Sequence, residues 1–271
     1  MKKRILSILL LCCMVLTMLP TTVLAADGPM DTIPKYDVSI DVYNRTSDIS
    51  IKDSRSYYIY SSVPDKLRDT WAWDKKIFIK GDKTAPHVFI DGVNIKMSPS
   101  SLGPAIELNK KASAYIYFIG KNSSLQGADG RAAIQKNRSE GQLYVLARTG
   151  TTVTCKGGDK AAGIGGSYAT RNISNGYYNG DMYGHGVNMH FGSRSNPDYW
   201  GGTIAAIGGN GGAGIGGGQG GAGEKLYFYS GTIQATSDRF ASGIGGSYEG
   251  RGSEIYIYGG CLLYTSDAAD D

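Results

Sequence analysis

Hydrophobic and polar positions alternate along most of this chain, in runs short enough to be β-strands. Asp48-Ile-Ser-Ile-Lys, Tyr57-Tyr-Ile-Tyr, Lys76-Ile-Phe-Ile-Lys, His87-Val-Phe-Ile-Asp-Gly-Val-Asn-Ile and Ala114-Tyr-Ile-Tyr-Phe-Ile all send side chains to two faces in turn. The second half repeats the pattern with more glycine. Its clearest copy runs Leu226-Tyr-Phe-Tyr-Ser-Gly, then Thr232-Ile-Gln-Ala-Thr, then Ala241-Ser-Gly-Ile-Gly-Gly-Ser: three short strands separated by turn residues. Ala162-Gly163-Ile164-Gly165-Gly166 recurs around Ile215 and Ile244, with fainter copies at Ile106 and Ile134. The spacings are 28, 30, 51 and 29 residues, so one period of about thirty with a single insertion accounts for all five. Three strands per repeat predict an all-β chain wound as a parallel β-helix, whose stacked coils share a continuous core that no single coil could bury. Roughly seven rungs about 4.8 Å apart are expected between Asp48 and Gly260.

Composition narrows this further. Glycine supplies 40 of 271 residues, 31 of them between Thr151 and Gly260, about twice ordinary usage. With no Gly-x-y period and only 8 prolines, collagen is excluded. The 41% of apolar residues and their alternation exclude wholesale disorder. The glycine runs do not make a dinucleotide fingerprint, because no helix follows them. They lack the aspartates of calcium-binding nonapeptides. A net charge of +4 is too mild, and too interleaved with acids, for a nucleic-acid partner.

The two ends read differently from the middle. Lys2, Lys3 and Arg4 precede the apolar stretch Ile5 to Leu19, and Val23-Leu24-Ala25 supplies small residues for cleavage. Residues 1–25 therefore read as a signal peptide, the chain is expected to be secreted or at the cell surface, and no transmembrane span is expected once the signal is removed. Residues 261–271, Cys261 to Asp271, resemble the in-frame translation of a sequencing-library adapter. On that reading the single β-helix domain is 26–260, its less regular rungs about 48–150 and its Gly-rich rungs 151–260, and 261–271 is a probable artefact. The last rung would then be uncapped and prone to strand pairing with other chains. Cys155 is left as the one cysteine of the domain, which excludes an intramolecular disulfide or a thiolate metal site.

Ile90-Asp-Gly-Val-Asn-Ile95, Pro104-Ala-Ile-Glu-Leu108 and the Ala-Gly-Ile-Gly-Gly rungs resemble secreted Gly-rich right-handed β-helix repeat proteins. These include carbohydrate-binding and surface proteins of Gram-positive bacteria. The resemblance covers most of the chain from about Asp48 to Gly260. It implies the fold strongly and the function weakly, and it implies a longer parent protein.

Candidate chemistry collects in the one insertion, residues 167–202. Tyr168, Tyr177, Tyr178, Asp181, Tyr183, Arg194, Asp198, Tyr199 and Trp200 combine aromatic rings with charged partners, the residue types that hold sugar rings. An extracellular polysaccharide or host glycan is the expected partner, and the expected function is a non-catalytic surface binding or adhesion module. Packing of the same rings on their own rungs is the competing reading. A polysaccharide-degrading lyase or hydrolase using Asp181 and Asp198 as paired carboxylates is the enzymatic alternative; a ligand-free stalk is the third. Ser167-Tyr168 with Arg171 matches Ser247-Tyr248 with Arg251, either a binding stripe or a structural ladder. Trp71 and Trp73 alternate, as a sugar platform or a plug for the core. Gly184-His185-Gly186 resembles a motif of pectin hydrolases without its companion acids. No metal spacing is present, and no cofactor is expected.

Overall fold

The computed structural model describes residues 35–81, 83–101, 103–109, 111–137, 140–168 and 184–265. The signal-like segment 1–25 and Arg171, Tyr177, Tyr178, Asp181 and Tyr183 fall outside them.

The described residues build three parallel sheets of eight, six and seven strands. Each turn of chain visits them in that order, as in His87–Asp91, Asn94–Lys96 and Ile106–Leu108. The next turn, Ala114–Ile119, Ser123–Gln126 and Ile134–Gln135, pairs with it in parallel on all three sides. The result is a β-solenoid of about seven turns of roughly 29 residues, the parallel β-helix expected from the repeat. The one helical element among the described residues is the 3-10 turn Asp65–Leu67, and no described helix is long and apolar enough to cross a membrane.

The seven-stranded sheet explains the recurring isoleucine. Ile49, Ile77, Ile106, Ile134, Ile164, Ile215 and Ile244 stand opposite one another in register. The first six are at most 2% exposed. Pairing returns each isoleucine to the core face, so the differences in turn length, 28 to 30 residues and one step of 51, are absorbed in the connections. The glycine after the isoleucine has its own reason: Gly165 and Gly216 have φ of +132° and +136°. A Cβ on either would overlap the carbonyl of the next rung, Gly216 or Gly245.

The long gap between Ile164 and Ile215 still contains an ordinary turn, Gly186–Phe191 followed by Thr203–Ile207. Its extra residues therefore fall in two places, before Gly186 and between Gly192 and Gly202. Inside this turn Phe191 stacks on Phe228 of the next at 5.0 Å, and small residues on the six-stranded side, Ala206 and Ala235, leave room for both rings. Cys155 faces the same core and is buried.

On the outer face of the eight-stranded sheet, His87, Tyr115, Tyr144, His190, Tyr227 and Tyr256 occupy one register column. Their rings stack at 4.6, 4.5, 4.4, 4.5 and 5.1 Å, within 16° of parallel. The rung spacing of a parallel sheet is nearly the distance at which aromatic faces meet, so in-register rings satisfy one another. Much of the tyrosine excess is therefore structural.

Cys261–Thr265 continues the six-stranded sheet in register with Thr232–Thr236. The alternation of Cys261-Leu262-Leu263-Tyr264 turns Leu262 toward the core, which suffices for a strand whatever the origin of the residues.

Candidate functional site

Of the insertion residues singled out by sequence, Tyr168, Arg194, Asp198, Tyr199 and Trp200 are described. Trp200 is fully buried. It tilts against Tyr117 at 5.1 Å. Ser230 Oγ donates to the Trp200 carbonyl at 2.8 Å, and Tyr199 meets the indole edge-on at 4.8 Å. Thr149 Oγ1 donates to the Asp198 carbonyl and accepts from the Gly201 amide at 3.1 Å, pinning the turn to the preceding rung. Asp198 itself is exposed.

Tyr168 is half-buried, with Lys160 Nζ 5.0 Å above its ring. The places after Ile164, Ile215 and Ile244 that match it hold Tyr168, Gln219 and Tyr248, so Gln219 interrupts any tyrosine stripe. Ser167 and Ser247 are buried braces: Ser167 Oγ accepts from the Ala132 amide at 3.2 Å, and Ser247 Oγ donates to the Gly221 carbonyl at 2.7 Å. His185 Nδ1 accepts from the Ala222 amide at 3.2 Å, a structural use.

A better-formed concavity lies at the corner between the eight- and six-stranded sheets, where one turn leaves the solenoid path. Pro64 opens the 3-10 turn Asp65–Leu67, and the chain rejoins at Trp73, which bridges to Ile95. Trp73 is 3% exposed and donates from Nε1 to the Arg45 carbonyl at 2.8 Å, so it plugs the core. Trp71 is only half-buried and meets Tyr43 edge-on at 5.4 Å. Arg68 ties the excursion down, donating from Nη1 to the Gly92 carbonyl at 3.1 Å and from Nη2 to the Val63 carbonyl at 3.4 Å. Lys121 Nζ reaches Asp65 at 2.8 Å from the other side. The Lys121 and then the Arg68 contacts hold the Asp65 carboxyl below the usual carboxylate range.

Between this wall and the sheet runs a groove of about 600 Å³ lined by Asp69, Asn94, Lys121, Asn122, Ser124 and Thr154 among others. An adjoining hollow of about 200 Å³ shares Asp69, Asn94 and Ser124 and reaches Trp71 and Gln126. Asn94, Ser124 and Thr154 belong to three successive rungs in register, so the floor presents polar side chains about 4.8 Å apart. Asn94 is braced by Nδ2 on the Arg68 carbonyl at 2.9 Å and by Oδ1 accepting from the Ser124 amide at 3.0 Å. Asn122 Oδ1 accepts from the Thr152 amide at 2.8 Å. Ser124 Oγ, Thr154 Oγ1, Asn122 Nδ2 and the Asp69 carboxylate have no side-chain partner among the described residues and face the groove. Such a floor combines donors and acceptors at fixed spacing with one aromatic surface at its end. It suits a ligand rich in hydroxyls.

Sequence reasoning passed over these residues because one polar side chain per rung is unremarkable until the register aligns them. The excursion 64–73 was the available signal, through Pro64 and the tryptophan pair. Among the described residues no group of three His, Cys, Asp or Glu side chains is placed to hold a metal ion. Comparison with known protein families, with curated proteins and with solved structures finds no match.

Proposed function

We propose that this protein is an exported surface module that binds a saccharide without transforming it, and that the groove beside the 64–73 excursion is its site. The observation that carries the proposal is the in-register floor of Asn94, Ser124 and Thr154, with Ser124 and Thr154 hydroxyls uncommitted and Trp71 half-exposed at the groove's end. Sugar hydroxyls would replace water on these groups, and the apolar face of a ring would cover Trp71. The signal-like N-terminus supports an extracellular setting.

A glycan-array screen of the exported chain beside Thr154→Arg, which fills the groove floor with an arginine side chain, tests the proposal. Signals present for the wild type and absent for the variant are expected. Equal signals from both would place any binding elsewhere, and reducing ends released from a bound polysaccharide would replace binding by catalysis.

A further inference from the structure

A second groove, of about 500 Å³, lies at the same corner of the solenoid, where the turn after Gly192 meets the turns at Gly231 and Gly259-Gly260. Ser193, Arg194, Pro197, Tyr229, Ser230 and Tyr258 line it together with those glycines. Among the described residues the lining contains no acid. Arg194 is exposed, its guanidinium 5.7 Å from the centre of the Tyr258 ring, and no carboxylate pairs with it among the described residues.

The hydrogen-bonding groups here divide into those already used and those left over. Ser193 Oγ accepts from the Asn196 amide at 3.2 Å, and Ser230 Oγ accepts from the Ser193 amide at 3.0 Å while donating to the Trp200 carbonyl. Both serines are spent. Tyr229 hydroxyl meets His190 Nδ1 at 3.1 Å. His190 is 7% exposed, and its Nε2 has no partner among the described residues. Of the two neutral tautomers, the one protonated at Nε2 would bury an unpaired N–H. The one protonated at Nδ1 leaves only a lone pair there, which costs less. His190 is neutral near pH 7, since burial lowers its pKa to about 4. Its Nδ1–H therefore donates to Tyr229, and the Tyr229 O–H is released to point at another acceptor. Tyr229 keeps that proton, because burial first, and then the neighbouring tyrosines, push its pKa up to about 12.

The groove thus offers a guanidinium fork and a phenolic O–H as unused donors, with Pro197 and the edges of two stacked rings, Tyr229 and Tyr258 at 5.3 Å, as apolar wall. We infer that this second groove is a binding site for a carboxylate carried on a sugar ring, that is, for a uronic acid residue. Arg194 would take the carboxylate through two parallel N–H bonds, Tyr229 would donate to the same group or to a neighbouring hydroxyl, and Pro197 would pack on the ring. The carboxylate would supply the counter-charge that Arg194 lacks. The inference concerns different residues from the groove beside the 64–73 excursion and does not depend on that site binding anything.

The test is a calorimetric titration of the full exported chain with an oligomer of glucuronic acid, its methyl ester and a neutral glucose oligomer of the same length. Arg194→Gln, His190→Phe and Ser124→Ala/Thr154→Ala are run alongside, with urea midpoints confirming that each is folded. The expected result is binding of the acid form only, weakened at least tenfold by Arg194→Gln and by raised salt, and unchanged by Ser124→Ala/Thr154→Ala. His190→Phe frees Tyr229 to accept as well as donate and is expected to weaken binding less than Arg194→Gln. The inference is overturned if the acid form does not bind, if the ester binds equally well, or if Arg194→Gln leaves the affinity unchanged. It is also overturned if the loss appears only in the Ser124/Thr154 variant, which would assign the acid to the other groove.

Discussion

Replacing His190 by Phe should remove part of the acid sensitivity of the fold. The imidazole lies between the rings of Tyr144 and Tyr227 at 4.4 and 4.5 Å, so a phenyl ring fits the same slot. Tyr144, Tyr227 and Tyr229 are the titratable groups facing it, all neutral phenols in acid. Burial lowers its pKa from 6.5 to about 4, because the charged form would carry a second N–H at Nε2 with no partner. The unfolded chain takes up a proton near pH 6.5, whereas the folded chain resists until about pH 4. The stabilising contribution is therefore complete above pH 6.5 and is lost as the pH falls from there to 4. A difference of 6.5 − 4, or 2.5 units, at about 1.36 kcal/mol per unit, corresponds to about 3 kcal/mol. Urea unfolding followed by tryptophan fluorescence at pH 7 and pH 4 gives the measurement. Carboxylates contribute equally to both proteins, so the wild type should lose about 3 kcal/mol more than His190→Phe across that range. Parallel losses in the two proteins would refute the burial argument.

Other outcomes follow from the packing. Trp200→Ala should cost about 3–5 kcal/mol, as for other buried tryptophans, and should expose Tyr117 to quenchers; a cost under about 1 kcal/mol would show the indole to be surface cover. Gly216→Ala should abolish folding of the Gly-rich rungs, since its Cβ would overlap the Gly245 carbonyl and its φ is +136°; a variant with wild-type circular dichroism would contradict this. Cys155 is buried and burial pushes its thiol pKa up, so a thiol reagent with peptide mapping should label exposed Cys261 at once and Cys155 only in denaturant. Early labelling of Cys155 would mean that the turns open locally.

The fold was legible because its period is written in one residue. Ile106, Ile134, Ile164, Ile215 and Ile244 are recognisable from their glycine neighbours. Ile49 and Ile77 stand in the same column but lack those glycines, so the sequence marks them only as alternating strands. The site was far less legible. Trp200 sits among Asn196, Pro197, Asp198 and Gly201, a setting that reads as exposed, yet its indole packs on Tyr117 and is fully buried. Only the register shows that Tyr115, Tyr144 and Tyr227, far apart in sequence, turn their faces to one another or to the histidines of the same column. Conversely Ser124 and Thr154 are ordinary strand residues, 30 apart in sequence, made neighbours by the winding. The wall that turns them into a groove comes from another rung again, and no local pattern connects the three.

The most direct test of the saccharide-binding account is the affinity for the best array ligand, titrated against wild type and Ser124→Ala/Thr154→Ala. Neither hydroxyl has a side-chain partner among the described residues, so the fold should be untouched. Losing two hydrogen bonds to a sugar should weaken binding about tenfold or more, at about 0.5–1.5 kcal/mol each. Undiminished affinity in the double variant would contradict the assignment of the groove.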